Sequence, residues 1–215
     1  MDEILQLFKQ RLLEENKKQN LISRRTALEE AGKHIMDSLA LKQFASLENE
    51  TIIDIGSGAG FPGLVLGLDT PGVSITLLES DLKKSQFLTD TKNALHAGHV
   101  QVIRERAEIA GHQEELREKF TLCTSRAVAS IRIMVEYALP FLQEGGCLYL
   151  WKGPKYQQEL EEAENALALL GGVFEEAYAY SLPDTETRYL IKIRKKSPTP
   201  DKYPRKNGIP VKRPL

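Results

Sequence analysis

The chain has 215 residues and a formal net charge of −1, with 41% of residues apolar and 27% charged. These proportions describe a soluble globular protein of one domain, or one domain with a small helical extension, able to bury a core without staples. The acidic start Met1-Asp2-Glu3 predicts no secretory leader, and no stretch reaches the roughly 20 apolar residues that span a bilayer, so a membrane role is excluded.

The two cysteines, Cys123 and Cys147, fall in predicted strands and form no CxxC, so they read as buried reduced thiols of a cytoplasmic protein. His34, His96, His99 and His112 lack the spacing of metal ligands, and no metal is predicted. The charge is uneven. Lys192 to Leu215 holds nine Lys/Arg and one Asp, a net +8, which leaves −9 on the other 191 residues. An acidic body with a basic tail suits a polyanionic partner, although a solvated terminus gives the same pattern.

Along the chain, Leu5, Phe8 and Leu12 recur at helical spacing, and a second amphipathic stretch runs from about Thr26 to Phe44. Thr51–Ile55 is a β-branched run ending in glycines, as a buried parallel strand does. A helix over about Phe61–Leu68, with Pro62 in its first turn, precedes a strand at Ser74–Leu78. Leu82–Leu95 reads as a helix capped by Asp81. Val100–Ile103 and Phe120–Thr124 are strands, Ile131–Leu142 a helix, and Cys147–Trp151 a strand. A helix from about Tyr156 to Leu170 buries Leu160, Ala163, Leu167 and Leu170, and stops at Gly171-Gly172. Phe174–Leu182 and Tyr189–Arg194 form a closing hairpin. Such alternation predicts an α/β, Rossmann-like fold whose seven-stranded sheet is parallel except for one hairpin strand, with helices on both faces. The boundaries drawn are a helical extension over 1–48, the main domain over 49–196 and a basic tail over 197–215.

The turn Asp54-Ile55-Gly56-Ser57-Gly58-Ala59-Gly60 lies where an open α/β sheet binds nucleotide-like ligands. Two cofactors compete for it. Gly58-x-Gly60-x-x-Gly63 matches the dinucleotide fingerprint, whereas Asp54-x-Gly56-x-Gly58-x-Gly60 matches the methyltransferase loop. Asp54 decides for the second, because a carboxylate repels a pyrophosphate and welcomes the ammonium group of a methionine moiety. Glu79 ends the second strand, where an acid bridges ribose hydroxyls. Glu108, after Arg106-Ala107, is placed to accept from an adenine amino group, or else simply starts a helix.

The fourth strand ends Thr124-Ser125-Arg126-Ala127-Val128, at the tip facing the reacting methyl group. No Asn/Asp-Pro-Pro-aromatic motif for an exocyclic amine follows, and no Pro-Cys or Thr-Cys nucleophile. An acceptor that is already nucleophilic, such as guanine N7, fits this lack because it needs no general base. Arg126 is then a positioning group, or an ion pair at a strand end. Lys152, Arg24-Arg25 and the tail's Arg205, Lys206, Lys212 and Arg213 are candidates to track a phosphate backbone. In the tail these cations alternate with Tyr203, Pro204, Gly208 and Pro210, which predicts an ordered strap.

Asn20-Leu21, His34-Ile-Met-Asp-Ser-Leu39, Asp54 through Gly63, Glu79-Ser-Asp-Leu-Lys-Lys-Ser85, Ser125-Arg-Ala-Val128 and Tyr203-Pro-Arg-Lys-Asn-Gly-Ile-Pro210 follow one another in that order. In this combination the chain, from about Asn16 onward, resembles the bacterial small-subunit ribosomal RNA methyltransferase G family, also called glucose-inhibited division protein B. The resemblance implies a class I methyltransferase that transfers a methyl group from S-adenosylmethionine to N7 of guanine 527 of 16S rRNA; a monomer is expected. The RNA is met naked or within the small ribosomal subunit. It further implies that Gly56, Phe61, Ala107, Glu108 and Arg126 contact the cofactor. Ile22-Ser23-Arg24 is less typical of the family, and Asn207 stands where proline is common. The residues by themselves also allow a methyltransferase for a small molecule or protein, or a non-catalytic RNA-binding module.

Overall fold

A computed structural model of the chain describes residues 2–23, 26–183 and 186–215. Strands β1 (Thr51–Ile55), β2 (Ser74–Leu78), β3 (Val100–Ile103), β4 (Phe120–Arg126), β5 (Leu142–Lys152), β6 (Gly172–Tyr180) and β7 (Arg188–Lys195) form one sheet in the order β3-β2-β1-β4-β5-β7-β6. All neighbours are parallel except β7, which runs antiparallel between β5 and β6. Strand order reverses between β1 and β4, and the crevice above that point is where such sheets bind ligands.

Alternation along the strands builds a core on each face. Ile52, Ile75, Leu77 and Leu122 pack with α1 (Glu3–Asn16), α2 (Ala27–Leu39), α3 (Gly63–Asp69) and α4 (Leu82–Ala94). Ile53, Leu78, Cys123, Leu148 and Leu150 pack with the short α5 (Ala107–Ala110), α6 (Ile131–Ala138), α8 (Glu164–Leu170) and Tyr203. The first core runs from the N-terminal helices into the sheet without a break, and the Phe8 ring meets Phe61 edge-on at 5.6 Å. The Asp81 side chain caps α4 by accepting from the N–H groups of Lys83 and Lys84.

Several elements differ from expectation. The helix from Ile131 stops at Ala138, because Pro140 cannot continue it. A 3₁₀ turn follows, and β5 starts at Leu142. The helix over 156–170 breaks into α7 (Tyr156–Glu161) and α8; nothing in the local sequence explains the break. Leu160 is only half-buried. Cys123 is buried, but Cys147 is half-exposed, since it faces an open groove beside Phe44 and Arg194. Among the described residues no helix is long and apolar enough to cross a membrane, and no cluster of three metal-ligating side chains occurs.

The tail does form a strap, anchored at successive points. Thr199 is buried, its hydroxyl donating to the Leu170 carbonyl. Arg117 donates to the carbonyls of Thr199 and Tyr203. Arg205 closes two hydrogen bonds from its guanidinium onto the fully buried Glu136, at 2.9 and 2.6 Å. A short helix, α9 (Ile209–Lys212), then crosses beside α6.

Candidate functional site

The glycine loop leaves β1 and turns into α3. Its N–H groups are largely spent within the protein: Gly56 and Ser57 donate to Leu78, Gly60 and Phe61 to Ser57, Gly58 to Glu79, and Gly63 to Asp54. Two glycines admit no side chain. A Cβ on Gly56, whose φ is +71°, would sit 2.6 Å from Val128 Cγ2, and one on Gly63 would sit 2.5 Å from Asp54 Cβ. The loop is therefore pressed between the tips of β1, β2 and β4.

Asp54 lies beneath this loop, fully buried. One oxygen accepts from the Thr124 hydroxyl at 2.7 Å and the other from the Gly63 N–H at 3.2 Å. Burial raises its pKa to about 6 against these hydrogen bonds. Both oxygens are thus used within the protein, fixing the loop, where the sequence led us to expect Asp54 beside an ammonium group. Glu79 is also turned inward, accepting from the N–H groups of Gly58 and Asp81, both at 2.8 Å.

Beside the loop is a cavity of about 210 Å³. Ile55, Gly56, Leu78, Ala107 and Val128 supply apolar walls, Glu105 and Glu108 two carboxylates against the one guanidinium of Arg106, and Val211 of α9 an outer wall. Glu108 Oε1 accepts from the Tyr137 hydroxyl at 3.3 Å and from the Gly208 N–H at 3.0 Å. Burial, then the charge of Glu108, pushes Tyr137 up to about 12, so its hydroxyl stays protonated. An acidic site whose loop N–H groups are already bonded is poorly suited to a pyrophosphate. It fits a nucleoside carrying positive charge, as S-adenosylmethionine does.

A second cavity, of about 490 Å³, opens on the other side of the β4 tip, between α2 and the ends of β4, β5, β6 and β7. Arg126 and Ala127 line it, while Val128 and Ala129 line the first cavity. Four consecutive residues thus separate the two spaces. Ala127 takes a left-handed φ of +58° there, an uncommon backbone for a side-chain-bearing residue at a turn of this kind.

The second cavity is built around Asp37, which the sequence analysis did not single out. Its Oδ1 accepts from the Tyr180 hydroxyl at 2.6 Å. Its Oδ2 accepts from Arg126 at 2.8 Å and Arg188 at 2.9 Å, and its carbonyl takes the Trp151 indole N–H at 2.8 Å. One buried anion therefore holds two guanidiniums at the cavity wall. Arg126 also stacks over Phe61, 4.9 Å from the ring centre, and donates to the His34 carbonyl. Phe61 lies against the His34 ring at 5.2 Å and so joins the loop to the second cavity. Burial, then the charge of Arg126, lowers the pKa of His34 to about 4.

The basic residues divide. Lys152 pairs with Glu159 at 2.7 Å and donates to the Ala129 carbonyl; Arg205 is bound to Glu136. Both were expected at the RNA surface, and both instead hold the protein's own elements, because each finds a carboxylate close by. Lys206, Lys212 and Arg213 are exposed. Arg24 and Arg25 lie outside the described residues. Of the basic C-terminal residues, Lys192, Arg194 and Lys195 are also paired with Glu175 or Glu118.

Among solved structures, the fold is similar to M. jannaschii TYW2 in complex with AdoMet, with a TM-score of 0.58 at 15% identity over 75% of this chain and 76% of that one. It is also similar to a T. thermophilus 16S rRNA N2 methyltransferase in complex with AdoMet and guanosine, with a TM-score of 0.52 at 20% identity over 76% of this chain and 39% of that one. At these identities the likeness shows the fold. Relatives named ribosomal RNA small subunit methyltransferase G are much closer in sequence. The Syntrophomonas wolfei protein is 46% identical over the whole of both chains, and the Lactobacillus johnsonii protein 44% identical over 95% of this chain and 87% of its own. The family profile described as rRNA small subunit methyltransferase G matches residues 1–186. The chain belongs to the rRNA small subunit methyltransferase G family.

Proposed function

We propose that the enzyme methylates N7 of a single guanine, position 527 of 16S rRNA, by direct in-line transfer without a general base. The observation that carries this reading is the pair of cavities meeting across residues 126–129, one acidic and one lined by cations and aromatic rings. S-adenosylmethionine supplies an electrophilic methyl group. The chain's own residues supply placement and dryness.

The acceptor cavity offers donors more readily than bases. Asp37 is saturated by its own partners, His34 is a weak base with a pKa near 4, and the Lys152 ammonium is held by Glu159. A guanidinium stays charged at any working pH, so Arg126 and Arg188 cannot take a proton. Guanine N7 carries a lone pair and no hydrogen. It asks only to be aligned, and a donor beside it can hold O6 or a phosphate without blocking the lone pair. Trp151 and Tyr180, both buried, form the cavity's inner wall. Lys206, Lys212 and Arg213, with Arg24 and Arg25, then follow the RNA backbone.

The reading is tested by transfer of label from S-adenosylmethionine to unmodified small subunits and to naked rRNA, followed by nucleoside mass spectrometry. Label in 7-methylguanosine at one position is the expected result, and the better substrate of the two identifies the form of RNA used. Another methylated base overturns the N7 assignment. Label on no RNA moves the acceptor to a small molecule or protein.

A further inference from the structure

Beyond Arg205 the strap packs on the body through buried Pro210 and half-buried Leu215, and among the described residues one hydrogen bond ties it there, ending at the smaller cavity. The Gly208 N–H donates to Glu108 Oε1, on the carboxylate that lines the cavity; Lys212 and Arg213 bond only to the carbonyls of Gly208 and Ile209 within α9. Glu108 Oε2 has no partner among the described residues and remains for a ligand. Three residues on, Val211 forms part of the same cavity's wall while 58% exposed, an apolar surface that a bound nucleoside would cover. The neighbouring Lys206, Lys212 and Arg213 face outward on the same ten residues.

We propose that the distal strap belongs to the cofactor site, with Val211 closing over the nucleoside and Gly208 holding Glu108, so that cofactor and RNA tighten one another through it. A ligand that fills the cavity fixes α9 and with it the outward cations. RNA gripping those cations holds Val211 down on the ligand. The coupling is reciprocal by linkage, whichever partner arrives first. Its RNA half rests on the proposed RNA substrate; the Val211 half does not.

The strap's near part is deeply anchored, through buried Thr199, Tyr203 and the Arg205–Glu136 pair, so removing the whole tail would damage the core. Point substitutions on exposed residues avoid this. The probe is labelled S-adenosylhomocysteine, which keeps the nucleoside and cannot react, measured by equilibrium dialysis on the full chain with and without unmodified small subunits. Val211→Ala is expected to weaken the probe roughly five- to tenfold without RNA, as two buried methyl groups are lost. Small subunits are expected to tighten the probe at least about fivefold for the parent. Replacing Lys206, Lys212 and Arg213 together by Gln should leave the RNA-free affinity in place and abolish the tightening at subunit concentrations that still saturate.

Unchanged affinity in Val211→Ala overturns Val211 as a cofactor contact. No tightening in the parent, or full tightening in the triple variant, overturns the coupling. Because the Val211 arm contains no RNA, it stands or falls independently of which base is methylated.

Discussion

The two cavities flanking the β4 tip are made by opposite means. The proposed cofactor side is a backbone construction, in which glycines at left-handed φ let three strand tips close on one another and a buried carboxylate holds the turn. The proposed acceptor side is a side-chain construction, in which Asp37 gathers an indole, a phenol and two guanidiniums from four strands. A backbone site tolerates change poorly at glycines and well around them. A charge hub concentrates its dependence in one residue.

The largest expected effect breaks the hub. Asp37→Ala strands the buried Arg126 guanidinium, while Arg188, 39% exposed, can turn to water, and the change should cost about 3 kcal/mol, the low end of the usual penalty for stranding a buried charge. At roughly 2–4 °C per kcal/mol for a chain of this size, the melting temperature should fall by about 10 °C. Methyl transfer should be lost while cofactor affinity stays within twofold, because Asp37 touches no wall of that cavity. Next is Gly63→Ala, whose methyl group would lie 2.6 Å from Leu77 Cδ2 and 2.7 Å from Asp54 Oδ2. Overpacking of this kind costs about 1–3 kcal/mol, and here stability and cofactor affinity should fall together.

Gly58→Asp sharpens the contrast. A Cβ there meets only the Gly56 carbonyl oxygen at 3.7 Å, so the steric cost is small even at a φ of +55°. The added carboxylate would instead confront Glu79, which accepts from the Gly58 N–H. Cofactor binding should disappear in dialysis while denaturant unfolding shifts by no more than about 1 kcal/mol, within the range of ordinary surface changes and a strained turn.

The last effect is one of pH. His34 has its pKa depressed from 6.5 to about 4, so its contribution to stability is complete above pH 6.5 and is lost as pH falls toward 4. Asp54 is raised from 3.8 to about 6; its contribution is complete below pH 3.8 and is lost as pH rises through 6. Between pH 4 and 6 the two oppose each other. Urea unfolding of His34→Gln across that window should therefore lose stability with rising pH more steeply than the parent.

How far the sequence could be read follows the same division. The glycine loop, its strand, and the acids at positions 79 and 108 are local patterns, each visible within a few residues of a strand end. The bounds of β1, β2 and β3 follow from the same kind of signal. The partners of Asp37 are 89, 114, 143 and 151 residues away from it, and no spacing announces them. Arg126 was legible as the end of the fourth strand, but its dependence on Asp37 was not. Lys152 and Arg205 looked like surface cations because Glu159 and Glu136 approach them only in the folded chain. The strap was expected from its composition, whereas its seat on the cofactor cavity depends on Glu108 meeting a peptide N–H a hundred residues later.

The four-residue wall at 126–129 also bears on how such an enzyme can be redesigned. Any change of length in that stretch moves both cavities at once, so acceptor choice cannot be altered there without disturbing the methyl donor. The remaining walls of the acceptor cavity come from α2, the end of β5, Tyr180 and the start of β7, and none of these residues lines the donor cavity. A new acceptor preference is best sought by exchanging those pieces as a block, with residues 126–129 kept as the fixed joint between them.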